Sequence, residues 1–167
     1  MTDARRRAGA MRRAALHLAG HLWAAPLTLA GLVVAGLGGG RPVRIHDGAI
    51  DVVAPARGPL AWFFARAGVS AFTWGATVVY RHRGLLADAR LLRHERAHVR
   101  QALLLGPFLA LAYPAASLWQ LARGGRLYRD NWFERDARRR EQPPAAEPPG
   151  QAASRGDGDR ASRGGVR

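Results

Sequence analysis

The chain is 167 residues long, room for one domain with tails and a modest core. It carries 26 basic residues, all of them arginine, against 12 acidic ones, a net charge of +14. It contains no cysteine, which excludes disulfides and any thiolate-held metal.

Arginine-only usage beside abundant Ala, Gly and Pro fits a base-composition bias at least as well as a selected surface. The charge is therefore weak support for nucleic acid, and no specific nucleic-acid partner is expected. An anionic membrane face would attract the same charge.

In chain order, residues 1–13 form a short basic segment with five arginines. The uncharged run Leu22 to Gly40 is 19 residues long, enough to cross a bilayer core, although Pro26 interrupts it. No convincing cleavage site follows, so a retained apolar helix is expected rather than a removed leader. Around Asp47-Gly48, residues 42–54 alternate as two strands of a hairpin do. Residues 70–80, SAFTWGATVVY, read as a further strand with Gly75 in its interior. Asp88 is placed to cap a helix that runs to about Leu105, where Gly106-Pro107 breaks it. Residues 102–122 again lack charge, and Gly124-Gly125 ends them. A last helix starts near Asp130 or Asn131. The main domain is thus expected over 14–140, with a disordered tail over 141–167.

The first of these two late helices carries the chemistry. His94-Glu95-Arg96-Ala97-His98 spells H-E-x-x-H. Residues four apart share a helix face, so His94 and His98 can offer two imidazole nitrogens to one ion. Glu95 sits beside them, able to reach a metal-activated water without binding the metal. A zinc ion would lower that water's pKa towards ~7, and a carboxylate would take its proton. The bland alternative is a solvated helix face on which Arg93, Arg96 or Arg100 simply pairs with Glu95. His17 and His21 share the spacing but lack a glutamate between them, and read as structural or interfacial.

A catalytic zinc normally takes three protein ligands. No histidine follows His98, so a carboxylate must complete the set, and Glu134 is best placed. The competing role for Glu134 is a capping box with Asn131, which would need the glutamate for helix stability alone.

With these residues the chain resembles the gluzincin metallopeptidases, where H-E-x-x-H is followed on a second helix by N-x-x-E-x-x-A; Asn131 to Ala137 fits that form. HERAHVRQ, then LGPF and a tyrosine, then YRDNWFERDA, resemble more narrowly a family of small bacterial zincin-like proteins, over about residues 22–139. The resemblance implies that His94, His98 and Glu134 bind zinc and that Glu95 is the general base. It also implies that strand 70–80 is an edge strand pairing with an extended peptide. One departure stands out: many gluzincins place an aspartate just after that alanine to orient a ligating histidine, and here Arg138 stands there. Asp136 or Asp130 is left to supply that carboxylate.

Topology tests the site. If 102–122 crossed a bilayer, His98 and Glu134 would lie ~30 Å apart. Exporting 41–101 would carry ten arginines against four acids across the membrane, which the positive-inside rule disfavours. A bent segment and a domain on the cytoplasmic face of a bacterial inner membrane are expected instead. The expected fold is α+β and zincin-like: apolar N-terminal helix, small antiparallel sheet, motif helix, apolar helical segment, and a C-terminal helix carrying Glu134. The expected function is a membrane-associated zinc hydrolase acting on a peptide or protein, with Tyr128 and His82 as candidate oxyanion donors. The rivals are an inactive metal-binding or structural membrane protein, and a basic adaptor at a membrane or nucleic acid.

Overall fold

A computed structural model describes residues 2–142, with side chains from residue 5 onward. Of the expected tail, 143–167 lie outside the described residues. Helix α1 spans Thr2–Leu37, so the basic segment and the apolar run share one helix. The hairpin follows, with β1 at Arg41–His46 and β2 at Ala49–Val53. Asp47 and Gly48 both take positive φ (50° and 72°), as a two-residue turn of this twist requires.

A helix that the sequence reading did not foresee comes next, α2 at Pro59–Ala67. Its punctuation was available: Pro59 opens it and Gly68 closes it in the left-handed conformation. Residues 70–80 then prove to be two strands, β3 (Ala71–Trp74) and β4 (Thr77–Tyr80), joined by a tight turn at Gly75-Ala76. The sheet order is β1-β2-β4-β3. β2 and β4 run parallel while the outer pairs are antiparallel, so the sheet is mixed, not antiparallel as expected. The reason is α2: a parallel pair needs a crossover of about this length, and α2 with β3 supplies it.

Helices cover both faces of the sheet. On one, Ala35 of α1 and Leu60 and Phe64 of α2 pack with Val52 and Val79. On the other, Ala49, Val78 and Tyr80 pack against Val99 of α3, the motif helix at Ala89–Leu105. Asp88 caps α3 as expected, accepting from Arg90 N and Leu91 N. Alternate strand residues therefore serve alternate layers, and both faces are apolar.

Two helical stretches are long and apolar enough to cross a membrane by length and composition, Arg5–Leu37 and Ala89–Ala122. The second is not straight. A helix rises ~1.5 Å per residue, so His98 and Tyr113 would stand ~22 Å apart along one axis. Their rings lie 6.4 Å apart. The chain turns at Gly106 (φ 55°), where an added Cβ would come within 2.4 Å of the Trp23 indole of α1. Beyond this turn α4 spans Leu109–Ala122. Asn131 then caps α5 (Trp132–Arg140) and ties it to α4 through Tyr113 O and Ser117 Oγ. α5 returns antiparallel against α3, which brings Glu134 back to the motif.

Candidate metal centre

His94, His98 and Glu134 converge, each offering one ligand atom with all three atoms within 4.8 Å of one another. Two lie one turn apart on α3; the third comes from α5. Glu134 Oε1 lies 3.1 Å from His98 Nε2, and Oε2 lies 3.6 Å from His94 Nε2.

The second nitrogen of each imidazole is held. His94 Nδ1 lies 2.9 Å from Glu141 Oε1, and an ionised carboxylate only accepts, so Nδ1 carries the proton. His98 Nδ1 lies 2.9 Å from Gln101 Oε1. The Gln101 amide nitrogen donates to Phe133 O and Asp136 Oδ2, both acceptors, which fixes the amide oxygen towards His98. His98 Nδ1 is therefore the donor. With Nδ1 held as donor in each ring, Nε2 points inward, a lone pair whenever its ring carries a single proton, and the two Nε2 atoms stand 3.1 Å apart. Two facing lone pairs call for a proton or a cation between them.

Glu134 is almost fully buried, at 2 % exposure. Its Oε1 accepts the Tyr113 hydroxyl at 2.8 Å, while Oε2 is buried with no hydrogen-bond partner. Burial works to raise its pKa, but the positive charge that His98 carries when protonated, together with the Tyr113 and Tyr128 hydroxyls, prevails and holds it below the usual carboxylate range. Burial opposes protonation of His98, yet Glu134 beside it raises its pKa. The cluster is thus an anionic oxygen and two nitrogens shielded from water, a set that could hold a metal ion.

Glu95 stands apart from the three. Its Oε2 accepts from Thr73 Oγ1 of β3 at 2.6 Å. Burial, partly offset by His98 and Thr73, raises its pKa. Among the described residues no arginine pairs with it. Arg96 instead forms a two-pronged pair with buried Asp51 of β2 (2.9 Å each), Arg44 adds a third bond to Asp51 at 2.6 Å, and Arg93 donates to Glu141 O. The solvated-face alternative for the motif is thereby removed, because α3 is clamped to the sheet on one side and to α5 on the other.

Other expectations are corrected here. Asn131 caps α5 alone, accepting from Phe133 N, while Glu134 turns inward, so there is no capping box. Of the two proposed orienting aspartates, Asp136 reaches His98 through Gln101, whereas Asp130 accepts from Arg126 N in the preceding loop. Arg138, standing where an aspartate was expected, places Nη1 3.8 Å from Glu134 Oε2. The orienting carboxylate is Glu141, in the segment assigned to the tail. Its signal was its spacing: seven residues after Glu134 is two turns, hence the same face. Gln101 and Tyr113 lay inside the stretches that carry the resemblance, but without a role assigned to them, and Thr73 had no sequence signal.

The cluster forms the polar floor of a cavity of about 540 Å³. Its walls are apolar, with Leu27 from α1, Phe63 from α2, Phe72 and Trp74 from β3, and Leu109 and Pro114 from α4. Tyr128 also lines it, and burial followed by Glu134 raises its pKa; His82 does not line it. His21 lies against the Asp47-Gly48 turn, outside the three-residue cluster, and His17 is exposed.

These features define an α+β chain with a buried His/His/Glu cluster at the base of an apolar cavity. No protein-family model matches it, and neither a curated protein nor a solved structure matches at significant similarity.

Proposed function

We propose that the chain is a zinc-dependent hydrolase of gluzincin type, a metallopeptidase associated with the cytoplasmic face of a bacterial inner membrane. The observation that carries this reading is the convergence of two inward Nε2 lone pairs and an orphaned buried carboxylate oxygen beside a separately held glutamate. Ligands ~2.1 Å from a tetrahedral zinc stand ~3.4 Å apart; here the two Nε2 atoms lie 3.1 Å apart, Glu134 meets His98 through Oε1 at 3.1 Å and His94 through Oε2 at 3.6 Å, and one ligand atom from each residue falls within 4.8 Å of the others. The residues fit the ion. A zinc ion at this position would polarise the scissile carbonyl and lower the pKa of a water towards ~7.

Glu95 then takes a proton from the attacking water as the new C–O bond forms, and returns it to the amine as the C–N bond breaks. Thr73 keeps Glu95 turned to the cavity. The edge strand supports a peptide as substrate. Arg81 N donates to Ser70 O, and the antiparallel register alternates from there. The backbone N–H and C=O of Ala71 and Thr73 therefore face the open edge, next to Glu95, where an extended chain can pair.

Zinc content by elemental analysis tests the proposal, with His98→Ala and Glu134→Ala alongside. About one zinc per chain, lost in both variants, is the expected result. A folded wild-type protein that takes up no zinc would overturn it.

A further inference from the structure

Helix α1 has two faces. Ala24, Gly31, Ala35 and Gly38 are buried against the domain. Leu18, Leu22, Leu29 and Val33, on the opposite side at helical spacing, are exposed. No charged side chain other than the histidines occurs from Ala14 to Gly40. A second exposed apolar set, Phe108, Leu111, Leu118 and Trp119, lies along α4 and the turn before it. The two sets join where Trp23 packs on Phe108, with ring centroids 5.8 Å apart.

Each of the five tryptophans is at least 43 % exposed, where a water-facing protein would cover most of them. Cations bound this belt: Arg5, Arg6, Arg12 and Arg13 at its start, Arg123 and Arg126 at the end of α4. A second copy of the chain would bring +14 against +14; an anionic bilayer brings the opposite sign.

A straight crossing does not fit this geometry. The buried face of α1 is bonded to the sheet, with Ala76 N donating to Thr28 Oγ1 and Thr77 Oγ1 to Thr28 O. Enclosing that length of α1 in hydrocarbon would draw in the edge strand β3 with its unpaired backbone. An in-plane position covers the outer face and leaves the domain wet.

The cavity adjoins the same belt. Trp74 and Phe63 line it and are also largely exposed, which places them at its rim, and Trp74 rests over Gly31 of α1. We infer that the α1–α4 belt docks on an anionic lipid bilayer with α1 lying in one leaflet, and that the cavity receives an apolar extended chain from the lipid side. The second half of this inference rests on the hydrolase reading; the first does not.

Flotation with vesicles of phosphatidylcholine and phosphatidylglycerol tests the docking. The wild type should float. The triple substitution Leu22→Glu, Leu29→Glu, Val33→Glu should weaken partitioning at least about tenfold while zinc content stays at the wild-type level. The chain has no native cysteine, so Ala10→Cys and Arg57→Cys, on either side of the apolar part of α1, report its path. In membrane vesicles from expressing cells, both should react with an impermeant maleimide from the same side. A fluorophore sensitive to polarity on Ala67→Cys, a cavity-lining exposed position, should shift to the blue when vesicles are added.

Reaction of the two cysteines from opposite sides would overturn the in-plane position. Absence of flotation, or a wild-type dimer that the triple variant dissolves without lipid being involved, would overturn the docking. An unshifted fluorophore on a floating protein would overturn lipid-side access. Zinc uptake in the same samples reads the hydrolase proposal separately, so a metal-free chain that floats would reject that proposal and keep the docking.

Discussion

Glu95 and Glu141 are both carboxylates next to the histidine pair, and their surroundings give them different work. Among the described residues Glu95 bonds Thr73 alone and faces the cavity, so on the proposed mechanism replacing it should spare metal binding and remove the base. Glu95→Gln is expected to retain zinc while kcat/KM falls about 10²–10⁴-fold on a peptide substrate. An equally active Glu95→Gln would point to a metal-binding protein without turnover. Glu141 touches His94 from behind, at Nδ1, and is itself held by Arg90. It acts through the histidine, fixing its tautomer. Glu141→Gln should weaken zinc binding about 10–100-fold in competition with a chromophoric chelator, with the circular dichroism spectrum unchanged. At this scale the histidine pair was readable because His94 and His98 stand four residues apart, one turn of a helix. Glu141 was not, because the Pro-rich composition that follows it resembles a tail.

Among the elements, α3 is positioned by a charge placed on the sheet. Asp51 is fully buried and meets both Arg96 and Arg44. Asp51→Asn keeps the shape and leaves two guanidinium groups without their anion. A loss of about 3 kcal/mol is expected, read as a lower urea midpoint with an unchanged slope. The turn between α3 and α4 depends on Gly106, whose φ is positive and whose hydrogen faces Trp23. Gly106→Ala should cost about 1–2 kcal/mol or more, since both the conformation and the space disfavour a side chain. The helix break was legible as Gly106-Pro107, and so was the Asp47-Gly48 hairpin. The pairing of β2 with β4 was not. Periodicity marks a strand but carries no information on its neighbour, and the unforeseen α2 decided that the neighbour is parallel.

Across the whole molecule, the His94, His98 and Glu134 cluster joins α3 to α5, so an ion held there would tie the two helices together. An ion bound by the native state alone stabilises that state by mass action. Removing zinc with a chelator should therefore lower the melting temperature. At a free zinc concentration of a hundred times Kd the linkage is about 2.7 kcal/mol, or roughly 5–10 °C for a domain of this size. His98→Ala should melt at the same temperature with and without chelator. A wild-type melting curve insensitive to chelation would mean that the cluster is held by protons alone.

By itself the sequence determined what is local: the helix that carries His94, Glu95 and His98, its cap at Asp88, its end at Gly106, and the uncharged runs of α1 and α4. These depend on spacing along one chain, with side chains a turn apart or a turn residue at a fixed offset. The tertiary structure decided which distant groups meet. Glu134 could have capped its own helix or faced the histidines, and both readings used the same seven residues. The turn at Gly106 and the return of α5 along α3 placed its carboxylate between two imidazoles and left one oxygen unpaired. Thr73 reached Glu95, and Asp51 reached Arg96, across 22 and 45 residues of chain. No pattern along the sequence encodes such separations, because they are set by how helices pack on the two faces of a sheet.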